Sequence, residues 1–318
     1  MPEPVVSLIM PAKNAAGYVS DAISILFDAP FKDWELIVVE DHSCDDTLGI
    51  LNKLAGQDTR VTVVRNTGSG KIAGLNYGYS LARGRIIKCI DADDQLRPEF
   101  FDHIDTMSQC DAMCHDMCVT AGDLSVRGWY AMDQSFFQRG FEYCLRYLKS
   151  LPQCTWSFTR ELGDRIFPMP GELPFEDVWF SLIIKRYAAK IWHVSDAMYY
   201  YRQHDTQTFG GVLGFGEDVV IFRAKRMLNL LRVIESQAGV RLTEGVVSDA
   251  FFDEIRLFYE ILAKKRVSWK DILCARMSRS LKVKAAAYRK LRSVAPSIVR
   301  LKWFVDSLRE SHSCQSSH

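Results

Sequence analysis

Three carboxylates stand close together directly after an apolar run. Asp91, Asp93 and Asp94 follow Ile86 to Ile90, a run that is typical of a buried strand. A strand that ends in this way brings its carboxylates to the carboxyl end of a sheet, where open α/β sheets bind ligands. Like charges so close repel one another, and a hard cation shared with substrate phosphates, Mg²⁺ or Mn²⁺, would relieve that repulsion. The alternative is an acidic turn before the helix that Pro98 begins.

A second acidic pair, Glu176 and Asp177, stands directly before an apolar run from Val178 to Ala188. The run predicts a helix, and Gly171 and Pro174 predict a turn in front of it. Both carboxylates therefore belong to the first helical turn, where the helix dipole alone favours negative charge. From the residues alone, a chemical role and an ordinary helix start are both open.

A third stretch, Gly68-Ser69-Gly70-Lys71, has the composition of a phosphate-binding loop. Arg65 stands where the P-loop pattern requires a glycine, and Ala73 stands where the dinucleotide-binding pattern requires one. Neither standard motif is therefore present. A flexible backbone before a helix, with one lysine, still suits a phosphate, although a plain turn explains the loop equally well.

The elements that must position these groups alternate between strands and helices. The predicted strands are Val5–Met10, Trp34–Val39, Val61–Val64 and Ile86–Ile90, and the predicted helices are Tyr18–Leu26, Thr47–Leu54 and Ile72–Ala82. This alternation predicts a parallel sheet with crossover helices. Beyond it we expect, in chain order, a helix at Pro98–Met107, a strand at Asp111–Val119, an aromatic-rich helix at Phe136–Lys149 and a strand at Lys190–Val194.

The composition is that of an ordinary globular protein, with 48% hydrophobic and 25% charged residues and a formal net charge of +1. A charge this close to neutral favours no nucleic-acid partner. We expect no secretory signal and no membrane-spanning helix, since the chain has no run of about 18 apolar residues. Nine scattered cysteines favour a reducing cytoplasm. Cys110, Cys114, Cys118 and His115 could form a metal cluster, but their spacing fits known ligand patterns poorly, and small buried cysteines are the preferred interpretation.

Three motifs, in this order, resemble family 2 glycosyltransferases of the GT-A fold. The motifs are Ser7-Leu8-Ile9-Met10-Pro11-Ala12-Lys13-Asn14, Glu40-Asp41-His42-Ser43-Cys44-Asp45-Asp46-Thr47 and Asp91-Ala92-Asp93-Asp94. The family typically shows S-x-I-x-P-x-x-N, D-D-x-S-x-D-x-T and D-x-D-D. The resemblance covers about residues 5 to 205 and implies an α/β GT-A catalytic domain over residues 1–216. Glu40 departs from the family's usual Asp, and Leu75 stands where an arginine is common.

The resemblance implies a role for each motif. The first two would hold the nucleotide base, with Asp41 accepting a hydrogen bond from a ring N–H, which fits uracil. Asp91 and Asp93 would bind the ribose and the metal on the diphosphate, and Lys71 would stand in for the missing arginine. The implied donor-binding residues are Pro11, Ala12, Lys13, Asn14, Asp41, Lys71, Asp91, Ala92, Asp93 and Arg202. The implied metal-binding residues are Asp93, Asp94 and His204.

The same resemblance assigns the second acidic pair to catalysis. Asp177 would take the proton from the acceptor hydroxyl, with Glu176 supporting it. One carboxylate suffices for an inverting displacement, because the leaving diphosphate needs the metal rather than a protein acid. Trp156 falls at an acceptor-facing position and could stack on a sugar, although a core position is the preferred interpretation. Gly210–Gly216 suits a loop that closes over a bound donor.

Residues 217–318 are predicted to form a helical, basic C-terminal extension. The predicted helices are Val219–Ser236, Glu244–Lys265 and Lys282–Arg309. Between Lys264 and Arg309, fourteen Lys or Arg stand against two Asp. The apolar residues interleaved with them are Leu281, Val283, Tyr288, Leu291, Ile298, Leu301, Trp303 and Phe304. Such a segment suits an anionic membrane surface, and the alternative is an appendage that packs on the protein with a solvated basic face.

We therefore expect a cytoplasmic, inverting glycosyltransferase that uses Mn²⁺ or Mg²⁺ and a UDP-sugar. Its acceptor would be a saccharide or a lipid-linked saccharide, met at the inner face of the cytoplasmic membrane. A nucleotidyltransferase of the same fold is disfavoured, because the basic glycine-rich start of those enzymes is missing after the first strand. A non-catalytic nucleotide-sugar-binding or membrane-scaffold protein is the other alternative; it would keep Asp41 and Asp93 but would not need Asp177.

Overall fold

The computed structural model describes residues 3–204, 217–237, 252–264 and 267–291. The chain divides into two compact units. The first ends at Arg202, and the second begins at Gln203 and also includes Leu145–Tyr147 and Glu172–Pro174. The predicted domain limit at residue 216 and the predicted donor-closing loop Gly210–Gly216 lie outside the described residues, so both stay predictions.

Within the described residues, nine strands form one sheet in the first unit. In chain order they are β1 Val6–Ala12, β2 Trp34–Glu40, β3 Val61–Arg65, β4 Ile86–Cys89, β5 Gln95–Leu96, β6 Ala112–Thr120, β7 Val126–Tyr130, β8 Trp156–Thr159 and β9 Ile191–Arg202. Their order across the sheet is β3-β2-β1-β4-β8-β6-β9-β5, and β7 pairs with the far end of β6. The first four strands are parallel, as predicted, whereas β8 runs antiparallel to both β4 and β6.

The helices lie between these strands and beyond them. Up to β9 they are α1 Val19–Phe27, α2 Thr47–Ala55, α3 Gly70–Leu81, α4 Ile104–Met107, α5 Gln134–Gln138, α6 Phe141–Tyr147, α7 Arg160–Ile166 and α8 Asp177–Tyr187. Two short 3₁₀ turns, Pro98–His103 and Gln153–Thr155, complete this part. The second unit contains α9 Glu217–Gln237, α10 Asp253–Leu262, α11 Trp269–Leu273 and α12 Arg279–Leu291. None of the described helices combines the length and the apolar character needed to cross a bilayer.

The parallel part of the sheet is buried on both faces. Strands β1 and β2 are buried at nearly every position, which is why their sequences are continuously apolar rather than alternating. Helix α3 packs closely on these strands, since a Cβ atom added at Gly78 would lie 2.5 Å from Cγ2 of Ile9. This close packing fixes the position of the first turn of α3, which carries Lys71.

The first strand is longer than predicted. Pro11 was expected to begin a loop, but β1 continues to Ala12, with Pro11 paired to Val39 of β2. The neighbouring strand on the other side, β4, reaches only to Cys89, which pairs with Ile9. At Pro11 one edge of β1 therefore has no partner strand, so the missing N–H of proline interrupts no ladder.

Two other predictions differ from the structure. The expected helix from Phe136 to Lys149 is divided into α5 and α6, because Arg139 is extended and Gly140 follows it. Strand β8 was not predicted, because its residues were interpreted as facing the acceptor and not as a strand. The strand expected at Lys190–Val194 is also much longer, and its continuation delivers Tyr199 to the site.

Candidate active site

Asp41 lies where the carboxyl ends of β1, β2 and β3 meet, because their parallel registers align. Its Oδ1 accepts a hydrogen bond from Nδ2 of Asn66 at 2.7 Å, and its Oδ2 accepts one from Nζ of Lys13 at 3.1 Å. The backbone N–H of Gly70 lies 3.0 Å from both oxygens. Both carboxylate oxygens are therefore satisfied by protein donors.

These donors keep Asp41 ionised. Burial raises its pKa, but the hydrogen bonds from Lys13, Asn66 and Gly70 outweigh burial and bring the pKa below its ordinary value. A nucleobase N–H could replace only a donor that is able to move away. Lys13 meets that condition, because its side chain is 51% exposed, whereas Asn66 is buried.

The loops after β1 and β2 are tied to each other. The backbone N–H of Cys44 donates to Oδ1 of Asn14 at 2.8 Å, and the N–H of Asn14 donates to Oγ of Ser43 at 3.0 Å. Glu40 is fully buried; it accepts the Ser43 N–H at 2.5 Å and pairs with Nε of Arg65 at 3.4 Å. Asn14 and Glu40 thus shape the loops from within.

Lys71 joins the two acidic segments that the sequence singled out. Its Nζ lies 2.6 Å from Oδ1 of Asp91 and 2.6 Å from Oε1 of Glu176. Burial would lower the pKa of Lys71, but the two carboxylates raise it well above its ordinary value, so the group stays charged. The side chain of Lys71 is 38% exposed, so an anionic ligand could approach this lysine.

The three carboxylates after β4 have different surroundings. The backbone N–H of Asp91 donates to Oη of Tyr199 at 2.9 Å, and Asp93 is half-buried. Asp94 is buried; its Oδ1 accepts the Arg202 N–H at 2.7 Å, and its Oδ2 has no hydrogen-bond partner. Burial, with repulsion from Asp93 and Asp91, raises the pKa of Asp94 well above its ordinary value.

Asp177 begins α8 and follows Glu176 directly. Its Oδ1 accepts the backbone N–H of Gln153 at 2.8 Å. Burial and the charge of Glu176 raise the pKa of Asp177 to about 7, although the Gln153 hydrogen bond and Lys71 act to lower it. A carboxylate with such a pKa is a stronger base than an ordinary aspartate and is still substantially ionised at neutral pH.

A metal ion would need ligands from outside the protein. Within the described ranges, no three His, Cys, Asp or Glu side chains gather closely enough to hold a metal ion. This also leaves Cys110, Cys114, Cys118 and His115 without a metal role there. The carboxylates of Asp93 and Asp94 are hard oxygen donors, and Oδ2 of Asp94 is a buried acceptor with no partner. They fit a cation whose remaining ligands come from donor phosphates and water.

The surroundings of three predicted site residues, Trp156, Arg202 and His204, bear on the roles predicted for them. Trp156 is 0% exposed and packs against Phe136 and Phe137. It is a core residue, and its covered ring cannot stack on an acceptor sugar. Arg202 is also buried, with its guanidinium 5.0 Å over the ring of Tyr18. His204 belongs to the second unit, and the donor and metal roles of Arg202 and His204 stay predictions.

Two other predicted donor-binding residues, Ala12 and Ala92, could contact a donor mainly through backbone groups. Ala12 is the last residue of β1 and Ala92 lies in the acidic turn, and both are buried. Sequence reasoning missed Asn66, Tyr199 and Gln153, which hold Asp41, Asp91 and Asp177. Asn66 had a detectable signal, since it lies two residues after a predicted strand, as Asp41 does. The other two act at contacts that no local pattern reports.

The comparisons with known proteins agree with this architecture. The family model described as "Glycosyl transferase family 2" matches residues 7–157. The putative glycosyltransferase EpsH of Bacillus subtilis is 27% identical over 235 residues, covering 64% of this chain and 62% of EpsH. The putative teichuronic acid biosynthesis glycosyltransferase TuaG of the same organism is 34% identical over 98 residues, covering 30% of this chain and 39% of TuaG. In each case the chain spans less than two thirds of its relative.

Solved structures share the fold across most of the chain. The structure of S. aureus TarS 1-349 in complex with UDP-GlcNAc matches with a TM-score of 0.55 and 19% identity, covering 90% of this chain and 88% of that chain. The mannosyltransferase PcManGT from Pyrobaculum calidifontis, in complex with GDP-Man and Mn²⁺, matches with a TM-score of 0.54 and 17% identity, covering 96% of this chain and 81% of that chain. At such identities the likeness concerns the fold alone. Residues 7–157, which contain the three ordered motifs, therefore match glycosyltransferase family 2, and the chain shares the GT-A fold of these solved structures.

Proposed function

We propose that the protein transfers a sugar from a nucleotide-sugar donor to a saccharide or lipid-linked saccharide acceptor, with inversion at the anomeric carbon. The observation that carries this proposal is the bridge that Lys71 makes between Asp91 and Glu176. It brings the carboxylates after β4, suited to the donor, beside the carboxylates at the start of α8, suited to the acceptor. A donor and an acceptor bound at this junction would meet at the reacting bond.

Asp177 is the general base in this proposal. It removes the proton from the acceptor hydroxyl as that oxygen attacks the anomeric carbon, and the bond from the anomeric carbon to the diphosphate breaks on the opposite side. The proton ends on Asp177, and the electron pair leaves with the diphosphate. Lys71, whose side chain is partly exposed, stabilises the negative charge that develops there.

A divalent cation held by Asp93 and Asp94 would neutralise part of the charge on the leaving diphosphate. The family's Asp-rich turn and the unpartnered Oδ2 of Asp94 support this part of the proposal. The solved mannosyltransferase of the same fold contains Mn²⁺.

A UDP-sugar is the proposed donor. In UDP the uracil ring offers an N–H, which Asp41 could accept in place of Lys13. TarS is solved with UDP-GlcNAc and the mannosyltransferase with GDP-Man, so the fold does not choose the nucleotide, and the proposal depends on Asp41.

The test of the donor is thermal stability against UDP-, GDP-, CMP- and dTDP-sugars, each with and without Mn²⁺. A ligand that binds the native state raises the melting temperature by mass action. We expect a shift with one UDP-sugar that increases with Mn²⁺, and release of UDP when an acceptor saccharide is added. A shift with a GDP-sugar instead would overturn the uracil assignment. No shift with any nucleotide sugar would overturn the function.

The C-terminal extension is proposed to dock on an anionic membrane surface. Trp269 and Leu273 of α11 and Val283 of α12 are 39%, 66% and 68% exposed. The basic residues along the same stretch are Lys270, Arg276, Arg279, Lys282 and Lys284. Nζ of Lys282 donates to the Leu273 carbonyl at 2.8 Å, so charge and apolar surface adjoin. Leu281, which the sequence offered as an anchor, is buried.

Co-sedimentation of the full chain with vesicles tests this surface. We expect binding to vesicles of phosphatidylglycerol and phosphatidylcholine, little binding to phosphatidylcholine alone, and loss of binding in the double variant Leu273→Ser and Val283→Ser. The control is Phe222→Ser, which removes a side chain of α9 that is 52% exposed. Equal binding by the double variant, or none by the wild type, would contradict the docking surface.

A further inference from the structure

Lys88 is a buried cation for which the proposed reaction has no use. It lies in β4, where it pairs with Leu8 of β1 and Ser157 of β8, and its side chain is fully buried. Lysine is almost never fully buried unless it is paired. Among the described residues, its Nζ forms no ion pair with a carboxylate, and all its polar partners are neutral.

These neutral partners satisfy the whole ammonium group. Nζ donates to the carbonyl oxygen of Cys154, to Nε2 of His115 at 2.8 Å and to the carbonyl oxygen of Trp156 at 3.4 Å. His115 can accept there because its Nδ1 donates to the Asp116 carbonyl at 2.8 Å. Burial and the adjacent Lys88 lower the pKa of His115 well below its ordinary value, so the imidazole is neutral.

The ammonium group thereby ties β4 and β6 to the segment that precedes β8. That segment is the 3₁₀ turn Gln153–Thr155. The carbonyl of Cys154 is held by Lys88, and the N–H of the residue before it, Gln153, donates to Oδ1 of Asp177 at 2.8 Å. Lys88 therefore reaches the proposed base through the backbone of two residues, Cys154 and Gln153.

A second contact leads from Lys88 toward the donor carboxylates. Its Nζ lies 5.6 Å from the ring centroid of Tyr199, and Oη of that tyrosine accepts the Asp91 N–H at 2.9 Å. Burial lowers the pKa of Lys88 to about 8, and the negative charge of Asp91 acts in the opposite direction. At neutral pH the group still carries its third proton and can serve all three acceptors.

We propose that Lys88 is a positioning residue for sugar transfer: it fixes the turn Gln153–Thr155 and, through it, holds Asp177 in place relative to Asp91. This inference rests on the proposed function for its catalytic consequence. A base that moves by about 1 Å can lose on the order of a hundredfold in rate. A core lysine without this role would contribute to stability alone.

The test is Lys88→Met, which keeps the length and apolar stem of the side chain and removes its donors. We expect kcat to fall about 10- to 100-fold, while the KM for the donor changes little. The matched control is Lys185→Met, since Lys185 is a half-buried lysine whose Nζ donates to the Phe137 carbonyl at 3.4 Å. This control should keep the wild-type kcat.

A readout that needs no substrate is the titration of Asp177, followed by carboxyl ¹³C NMR and assigned with Asp177→Asn. Loosening of the Gln153 hydrogen bond should raise the Asp177 pKa, because that bond favours the ionised form. If wild type shows no transfer at all, the proposed function fails, yet this titration still decides the positioning role. An unchanged titration in folded Lys88→Met would overturn the inference.

A second pair of variants applies if Lys88→Met does not fold. Gln153→Pro removes the N–H that Asp177 accepts together with the glutamine side chain, and Gln153→Ala removes the side chain but keeps the N–H. The preceding Pro152 already has φ −56° and ψ 134°, the conformation that a following proline requires. We expect the raised Asp177 pKa in Gln153→Pro alone. The same Asp177 titration in both variants would show that the turn does not hold the base, which would overturn the inference.

Discussion

Asp41 and Asp177 are both carboxylates that accept a backbone N–H, yet their acidities shift in opposite directions. Asp41 accepts hydrogen bonds from Lys13, Asn66 and Gly70, and its pKa is lowered. Asp177 has the one N–H of Gln153 and a carboxylate neighbour, and its pKa is raised to about 7. Burial acts in the same sense on both groups, so the number of donors and the sign of the nearest charge decide the outcome.

This contrast separates the two halves of the site. The carboxylate of Asp41 has protein donors on both oxygens without a ligand, which suits recognition of a nucleobase by exchange of one donor. The region around Asp177 has an excess of negative charge that Lys71 only partly balances, which suits a base and a cation-bearing substrate. Three substitutions test whether recognition and chemistry are really divided in this way.

Asp177→Asn should have the largest effect. The base is lost and the shape is kept, so we expect turnover to fall about a thousandfold while the donor still binds, because Asp177 is not among the contacts of Asp41. Initial rates of UDP release and donor titration by calorimetry measure the two effects. Asp105→Asn, which changes an exposed carboxylate of α4, is the control. Wild-type turnover in Asp177→Asn would remove Asp177 from the mechanism.

Lys71→Met should have an intermediate effect and link the two halves. Loss of one charged contact to the diphosphate should lower kcat/KM for the donor about 10- to 100-fold. Because Lys71 lowers the Asp177 pKa, its removal should also move the rise of rate with pH, expected near pH 7, to higher pH. The measurement is the pH profile of kcat/KM, with Lys53→Met in α2 as an exposed-lysine control. A profile that keeps its midpoint would separate Lys71 from the base.

Asp41→Asn should have the smallest effect on catalysis. One oxygen acceptor is lost, so the donor KM should rise about tenfold with kcat nearly unchanged. The Asp41 pKa is lower in the folded state, so its stabilising contribution is present above the unfolded pKa and disappears as pH falls through the folded pKa. The variant should therefore melt below wild type at pH 7, with the difference shrinking in acid.

Asp58→Asn is the matched control for Asp41→Asn. Asp58 also has a lowered pKa, mainly because it accepts hydrogen bonds from Arg60, and no site role is assigned to it. This variant should lose stability with the same pH dependence while the donor KM stays at its wild-type value. A raised donor KM in both variants would mean that the effect comes from general destabilisation.

The parallel part of the fold could be predicted from the sequence because its signals are local. Continuous apolar strands, helix periodicity and acidic residues at strand ends predict β1 to β4 and the edge where Asp41 and Asp91 lie. The boundaries differ by a few residues, except at Pro11, whose place in β1 depends on where β4 stops. Helix α8 could also be predicted, since its apolar run and the turn before it are contiguous in the sequence.

The contacts between segments distant in the chain could not be predicted from the sequence. No periodicity places Asn66 beside Asp41, or Lys71 between Asp91 and Glu176. The antiparallel strand β8 was not predicted, because its residues were interpreted as acceptor-facing. Trp156 shows the physical reason: an aromatic residue is equally at home in a core and on a sugar, and only the packing of Phe136 and Phe137 over its ring decides between them.

By itself the sequence indicated the resemblance to glycosyltransferase family 2, and it determined the parallel half of the sheet and the types of group that could bind a nucleotide sugar, because these depend on short motifs in a fixed order. The tertiary structure alone decided which of those groups meet. Acidity, burial and hydrogen-bond partners depend on through-space distance, and the chain joins Lys88 to the turn before β8, and Lys71 to both acidic segments, only once the sheet has formed.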